Sequence, residues 1–391
     1  MPFPEPAERL NVSMVKSQSR RLVFRHIFQH GPVTRAAIAQ ETGLSQGTVK
    51  TIVDELVSSD IVTETKDRTA QVGRKPLKLN LKRDARTFAV LNIQPERTEL
   101  HLLDLSLQPV GRRQSITHRR ANQYEERLLA FLTSALPSAI PTAGTAPPLA
   151  AIGVAVPGAY DGADDHVICR IMPELGGFPL RSRLRGTRPV PVAIGEDVRL
   201  AALAEVGAPQ RAPQPLFYYY AESGVGGAYL QEGRVLEGAS QMAGEIGQMW
   251  LEGRGRLEEL VRWPGFLERA GITSATDVNE STQVVQRRLS RGDATTRRAL
   301  DEVAAITAIA LSHVICILNP RSIVVGGPYA ELGESFLAPL RRRVLQTLIP
   351  EHREVLEIRA SAVGDSGMIR GAATIALEQW LDTAFTNGEN E

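Results

Sequence analysis

The sequence predicts two units of different class: a winged helix-turn-helix over residues 1–83, and an α/β body of two lobes over 84–391. Three observations carry this expectation. The first is a helical apolar period (Val49, Ile52, Val53, Leu56, Val57) that follows a Gly turn and precedes two short strand-like runs. The second is the mixture of strand-like and helix-like segments, joined by Gly-rich turns, that begins after Arg86. The third is charge: residues 1–83 hold 14 Lys and Arg against 8 Asp and Glu, whereas the remainder holds 31 against 36. A basic head on a mildly acidic body points to a polyanion partner for the head alone.

In the head, Val23, Phe24, Ile27 and Phe28 recur at helical spacing between Ser17 and His30, and Gly31-Pro32 ends the helix. Thr34 is the expected N-cap of a short helix closing at Gly43, and Ser45 caps a third helix. That leaves Gln46, Gly47, Thr48 and Lys50 on the outer face of its first turn, beside Ser45. An exposed first turn on the last helix of such a unit is what enters a major groove. Gln and Thr hydrogen-bond base edges there, and Lys50 reaches a phosphate or a guanine. Residues 61–63 and the alternating Leu77, Leu79 and Leu81 predict the two strands of a wing. Between them, Arg74 and Lys75 lie in an extended Gly-Arg-Lys-Pro segment suited to a minor groove. The expected partner is double-stranded operator DNA, with half-sites about one helical turn or a multiple apart.

In the body, 88–94 and 98–105 are strand-like, and the Pro/Ala/Thr-rich stretch 137–148 predicts a loop. A buried strand runs into a Gly/Pro turn over 150–162, and a strand leads into an Ala-rich helix over 189–207. Two strands flank a Gly-rich turn over 216–235. Helices over 256–270 and 298–318, a strand over 322–327 and a terminal helix from Met368 complete the pattern. Lobe one is expected over about 84–204 plus the C-terminal helix, and lobe two over about 205–372. No uninterrupted apolar run approaches a bilayer span, and MPFPEPAERL lacks a secretory pattern, so a cytoplasmic protein with no membrane partner is expected. Cys169 and Cys316 read as buried free thiols, and no Cys/His cluster shows metal-ligand spacing, so neither metal nor cofactor is expected.

Five segments then carry a resemblance. They are Val156-Pro157-Gly158; Glu196-Asp197 opening the Ala-rich helix; Ser223-Gly224-Val225-Gly226-Gly227; the run from Gly238 to Gln248; and the run from Leu318 to Gly327. In this order the chain resembles the ROK family (repressors, open reading frames and kinases), in its repressor branch. The resemblance implies an actin-like (ribonuclease H-like) two-lobed sugar-kinase fold that forms a homodimer or tetramer. It places Asp197 at the general-base position of the kinases, and Glu196 beside it where Asn is usual. It makes Glu245 an acceptor from sugar hydroxyls, and puts Gln248 where a His binds sugar and zinc. Glu258 is aligned with the last sugar-gripping Glu.

Two family features are missing. The zinc-binding Cys run is replaced by Trp250 to Glu258, and the Asp-x-Gly-x-Thr phosphate turn by Asn92-Ile93-Gln94-Pro95-Glu96. Pro removes an N–H donor and Glu96 repels phosphate. The expected function is therefore a regulator, in the sense of a repressor, of genes of sugar or related metabolism. Its body serves as sensor of a sugar or sugar-derivative effector and as oligomerisation platform. Two alternatives stay open: an active sugar kinase with a DNA-binding head, because Asp197 is kept, and a regulator controlled by a protein partner with no small ligand.

Overall fold

The computed structural model describes residues 12–66, 77–95, 97–117, 124–139, 147–206, 214–273 and 277–386. The head starts with α1 (Val12–His30), α2 (Arg35–Thr42) and α3 (Gln46–Ser58). Both expected caps form. Thr34 Oγ1 accepts the Ala37 N–H, and Ser45 Oγ accepts the Thr48 N–H at 3.0 Å. Gly43 closes α2 at φ 71°, a left-handed conformation that disfavours a side chain. Val49, Ile52, Val53 and Leu56 are buried, but Val57 is exposed at 36 %, so the apolar stripe is narrower than expected. The wing strands β1 (Val62–Lys66) and β2 (Leu77–Leu81) pair antiparallel, with Val62 opposite Leu81. Arg74 and Lys75 lie outside the described residues.

The body continues with β3 (Thr87–Ile93), β4 (Arg97–Asp104), β5 (Pro109–Thr117), α4 (Tyr124–Ala139) and β6 (Leu149–Val156). A small hairpin, β7 (Ala159–Asp161) and β8 (His166–Ile168), precedes α5 (Leu180–Thr187), β9 (Val192–Glu196) and α6 (Asp197–Val206). These strands form a sheet in the order β5-β4-β3-β6-β9, antiparallel through β3 and parallel from there on. The second lobe opens with β10 (Leu216–Ala221), β11 (Val225–Gln231) and β12 (Arg234–Val235). Next come β13 (Trp250–Leu251), β14 (Gly255–Arg256), α7 (Leu257–Val261), α8 (Trp263–Arg269), α9 (Val278–Ser290) and α10 (Ala294–Leu318). The chain ends with β15 (Ser322–Gly326), α11 (Pro328–Glu331), α12 (Glu334–Thr347), α13 (Pro350–Val355), β16 (Glu357–Ala360) and α14 (Gly367–Thr386). Its sheet, β12-β11-β10-β15-β16, repeats the pairing pattern of the first.

The helix α6 packs against strands of both sheets, and α14 packs across α6, β3, β6 and β9. Two glycines make this approach possible. A Cβ on Gly371 would stand 2.0 Å from Leu200 O, and one on Gly153 would stand 2.1 Å from Ala372 O. Backbone therefore lies on backbone at both crossings. One apolar cluster runs from the head (Phe24, Leu79) through Phe88 and Trp380 to α6 and β10 without interruption.

Several sequence expectations are corrected. The helix α4 extends to Ala139, through the first residues of the stretch expected to be a loop. The expected helix 256–270 is two helices, α7 and α8, divided at Arg262 with Pro264 in the opening turn of α8. The helix expected from 298 begins at Ala294, because Asp293 Oδ1 accepts the Thr296 N–H at 2.7 Å. Cys169 is half-buried and Cys316 exposed, both as free thiols. The helix α10 is long and apolar enough to cross a membrane, but 61 % of its apolar window is buried and it packs in the second lobe's core.

Candidate DNA interface and inter-lobe cleft

On α3, Gln46, Thr48 and Lys50 are exposed as expected, while Val49 points into the core. Ser45 is committed to the cap, and its hydroxyl also meets Thr48 Oγ1 at 2.8 Å, so the two side chains act as a unit. Sequence reading passed over Thr51, which is exposed one turn further along and bonds Gly47 O at 3.1 Å. Its spacing from Gly47 and Thr48 was the available signal. Arg35 on α2 bridges Asp54 of α3 at 2.7 Å and Glu64 of β1 at 2.6 Å, tying the recognition helix to the wing.

The body's cleft is lined by the ends of β3, β9 and β10, the N-terminus of α6 and the loops after β8 and β12, around a cavity of about 120 Å³. Asp197 caps the start of α6, with its Oδ1 accepting the Val198 N–H at 2.7 Å. Its Oδ2 accepts from Gln94 Nε2 at 3.1 Å, and the same amide nitrogen donates to Asn92 Oδ1 at 3.1 Å. The side-chain amide of Gln94, just beyond β3, therefore rests on the Asp197 carboxylate. Burial pushes Asp197 up to about 6, partly opposed by the Gln94 and Val198 bonds. Burial also pushes Glu196 up to about 8, although Arg199 Nε lies 2.7 Å from its Oε2. Glu196 is thus turned towards Arg199, which also donates to the Gln241 and Ala243 carbonyls.

Glu245 is raised by burial, with Arg170 opposing and Glu258 adding to the rise. Arg170 comes from lobe one and crosses to lobe two: its NH1 donates to Gln248 Oε1 at 2.9 Å and its NH2 lies 3.6 Å from Glu245 Oε2. Sequence reading missed Arg170, since nothing local marks a cation whose partners lie 75 and 78 residues away. Glu258 Oε2 accepts the Val225 N–H at 3.2 Å, from the Gly-rich turn between β10 and β11. The structure therefore brings Glu196, Asp197, Glu245, Gln248 and Glu258 to one cavity. On the other side of Gln94, the Tyr220 hydroxyl bonds Glu222, a further carboxylate in the lining of the cleft.

The helix α14 joins the two regions. At its start, Met368 Sδ lies 3.8 Å from Gln94 Nε2 at the cleft. At its far end, Trp380 packs edge-on to Phe24 of α1 and Phe88 of β3, each at 6.0 Å between ring centroids. Arg25 forks onto Glu378 and Arg21 pairs with Asp382. Arg20 pairs with Glu55 of α3 at 2.8 Å and reaches Phe385 O at 3.4 Å.

Head, wing and two-lobed cleft together define a DNA-binding protein built on a sugar-kinase scaffold. The chain belongs to the ROK family, whose profile matches residues 95–379, and a winged helix-turn-helix DNA-binding profile matches residues 16–63. It is 22 % identical over 394 residues to the xylose repressor of Caldicellulosiruptor bescii, covering 95 % of this chain and 98 % of that one. It is 24 % identical over 392 residues to the DNA-binding transcriptional dual regulator NagC of Escherichia coli, covering 93 % and 94 %. Among solved structures, a ROK family transcriptional regulator described as a homolog of the E. coli MLC protein superposes with a TM-score of 0.79 at 18 % identity, over 95 % of this chain and 99 % of that one. A ROK family glucokinase from Streptomyces griseus, in complex with glucose and AMPPNP, superposes with a TM-score of 0.60 at 18 % identity, over 75 % and 99 %. These likenesses confirm the winged head and the sugar-kinase fold of the body.

Proposed function

We propose that this protein is a cytoplasmic transcriptional repressor of sugar-metabolism genes, whose cleft senses a neutral sugar and signals to the DNA-binding head through α14. The observation that carries the reading is α14 itself, one helix that touches Gln94 at the cleft and Phe24 in the head. A ligand that binds one lobe arrangement better shifts the equilibrium towards it. A rigid helix seated backbone-to-backbone on α6 carries such a shift to α1. In a homodimer or tetramer, the spacing of two heads on an inverted repeat would change with it.

The electrostatics select the ligand class. Among the described residues, Asp197, Glu222, Glu245 and Glu258 line the cavity with carboxyl groups against one lining cation, Arg170, which is already engaged, while Glu196 is paired with Arg199. Carboxylates accept from hydroxyls and repel phosphate. Xylose, the sugar in the name of the Caldicellulosiruptor bescii relative, fits that chemistry better than a phosphorylated sugar. Calorimetry on the full chain is expected to give heat with a neutral sugar and weaker or no binding with its phosphate. Binding of phosphorylated sugars alone would overturn the class, and heat from neither would favour control by a protein partner.

Phosphoryl transfer does not fit the site. Gln94 holds the Asp197 carboxylate, Pro95 removes a backbone donor and Glu222 adds a carboxylate to the lining, which would repel a nucleotide phosphate. Incubation with ATP, Mg and the same sugars is expected to yield no sugar phosphate above background. Turnover abolished by Asp197→Asn would restore the kinase reading.

For DNA, Gln46→Ala and Thr48→Ala are expected to relax base preference by about 1–3 kcal/mol at the contacted position. The double change Arg74→Ala with Lys75→Ala is expected to weaken binding by about 1–3 kcal/mol across sequences and flatten its salt dependence. Anisotropy on a duplex selected by the protein from genomic DNA measures both. Unchanged affinity and preference would remove these residues from the interface.

A further inference from the structure

At the junction of α1 and α2, three potential metal ligands converge although the sequence shows no metal-binding Cys/His motif. His26 and His30 stand four residues apart on α1, which places them on one helical face, with ring centroids 4.8 Å apart. Glu41 of α2 faces them, its Oε2 lying 3.7 Å from His26 Nε2. One ligand atom from each of the three lies within 4.8 Å of the others. The second observation concerns His26 itself. Its side chain is only 8 % exposed, and Nε2 is buried without a hydrogen-bond partner. At 3.7 Å the Glu41 oxygen is too far to satisfy it.

Ligands held at about 2.0–2.1 Å in a tetrahedron stand roughly 3.3 Å apart, so small side-chain adjustments complete three corners and leave the fourth to water. We propose that His26, His30 and Glu41 bind a divalent transition-metal ion of the zinc class, fastening the end of α1 to α2. Imidazole nitrogen with carboxylate oxygen is a ligand set for zinc, cobalt or nickel rather than for calcium or magnesium. Because α1 and α2 both pack on α3, the ion would hold the two helices on which the recognition helix is seated. Metal binding of this kind couples directly to folding of the unit that carries it.

The test uses the full-length chain freed of metal with EDTA and titrated with Co²⁺. The expected result is one equivalent bound with the visible absorption of a four-coordinate site, displaced by Zn²⁺. His30 and Glu41 are exposed, so His30→Ala and Glu41→Gln are expected to leave the fold intact, which the melting temperature without metal checks. Each is expected to weaken Co²⁺ binding by at least about 100-fold, since even residues behind a ligand change affinity by 10–100-fold. Zn²⁺ should raise the melting temperature of the wild type and of neither variant. No cobalt absorption in the wild type, or equal affinity in wild type and both variants, would overturn the site and leave His26 and Glu41 as a loose ion pair.

Discussion

Replacing Trp380 with alanine is expected to cost about 3–5 kcal/mol of stability, the range for removing a buried large aromatic side chain. Trp380 is 7 % exposed and lies between Phe24 of the head, Phe88 of lobe one and Phe385 of its own helix, with Arg86 over its ring at 6.0 Å. Phe385 adds a second ring contact to Phe24, at 6.2 Å, but among the described residues the ring contacts from α14 to both Phe24 and Phe88 are made by Trp380. The loss should therefore appear in amide exchange as joint loosening of α1 and β3, the two elements it holds together. Trp380→Phe keeps most of the volume and should lose less than half as much. The ion pairs beside it are more exposed, and Glu378→Ala should cost under about 1 kcal/mol. A Trp380→Ala protein that melts and exchanges like wild type would show that the joint lies elsewhere.

Asp197→Asn is expected to stabilise the ligand-free protein at pH 8, by roughly 2–3 kcal/mol, while abolishing or strongly weakening sugar binding. The sign follows from burial. Asp197 titrates at about 6 in the folded chain against an ordinary value of 3.8, so between these values the folded state keeps a proton that the unfolded chain has lost. Its contribution to stability is complete below about pH 4 and is lost as pH rises through 6. Glu196 extends the same decline towards 8, since burial raises it as well. Asn does not titrate, so the variant's urea-unfolding profile should be flatter from pH 4 to 6. Gln94 and Asn92 can rotate their amides together, so that the Gln94 carbonyl accepts from both the new NH₂ and the Asn92 NH₂, which keeps the packing. A carboxylate kept in the cleft at a cost to the fold is the behaviour expected of a group retained to bind a ligand. A variant less stable than wild type at pH 8 would show that Asp197 is instead a structural anchor.

The head was legible in the sequence because its signals are local. Thr34, Gly43 and Ser45 cap helices by contacts within three or four residues, and Val49, Ile52, Val53 and Leu56 advertise one buried face. The strand-to-helix passage at Glu196-Asp197 was equally plain, since β9 ends at Glu196 and α6 starts at Asp197. What escaped was non-local or built from mixed faces. Arg170 finds Gln248 and Glu245 only where the two lobes meet at the cleft, and Arg25 finds Glu378 across 353 residues. The helix α12, with Pro339 in its interior, was not anticipated, and Pro137 put the end of α4 in an expected loop. His26 and His30 were passed over for want of cysteines, and Glu41 joins them only through the packing of α2 on α1. Gln94 could be read as damage to a phosphate turn, but not as a group resting on Asp197.

Communication between cleft and head is measured directly by operator affinity in the presence of the neutral sugar that calorimetry identifies. With the full-length protein and a labelled operator duplex at fixed salt, saturating sugar is expected to change the dissociation constant by about 5–150-fold, the usual range of allosteric coupling. The same sugar should leave the affinity of Asp197→Asn unchanged. If sugar occupies the cleft of the wild type and the operator is bound equally well with and without it, the body is no sensor for the head and the central claim fails.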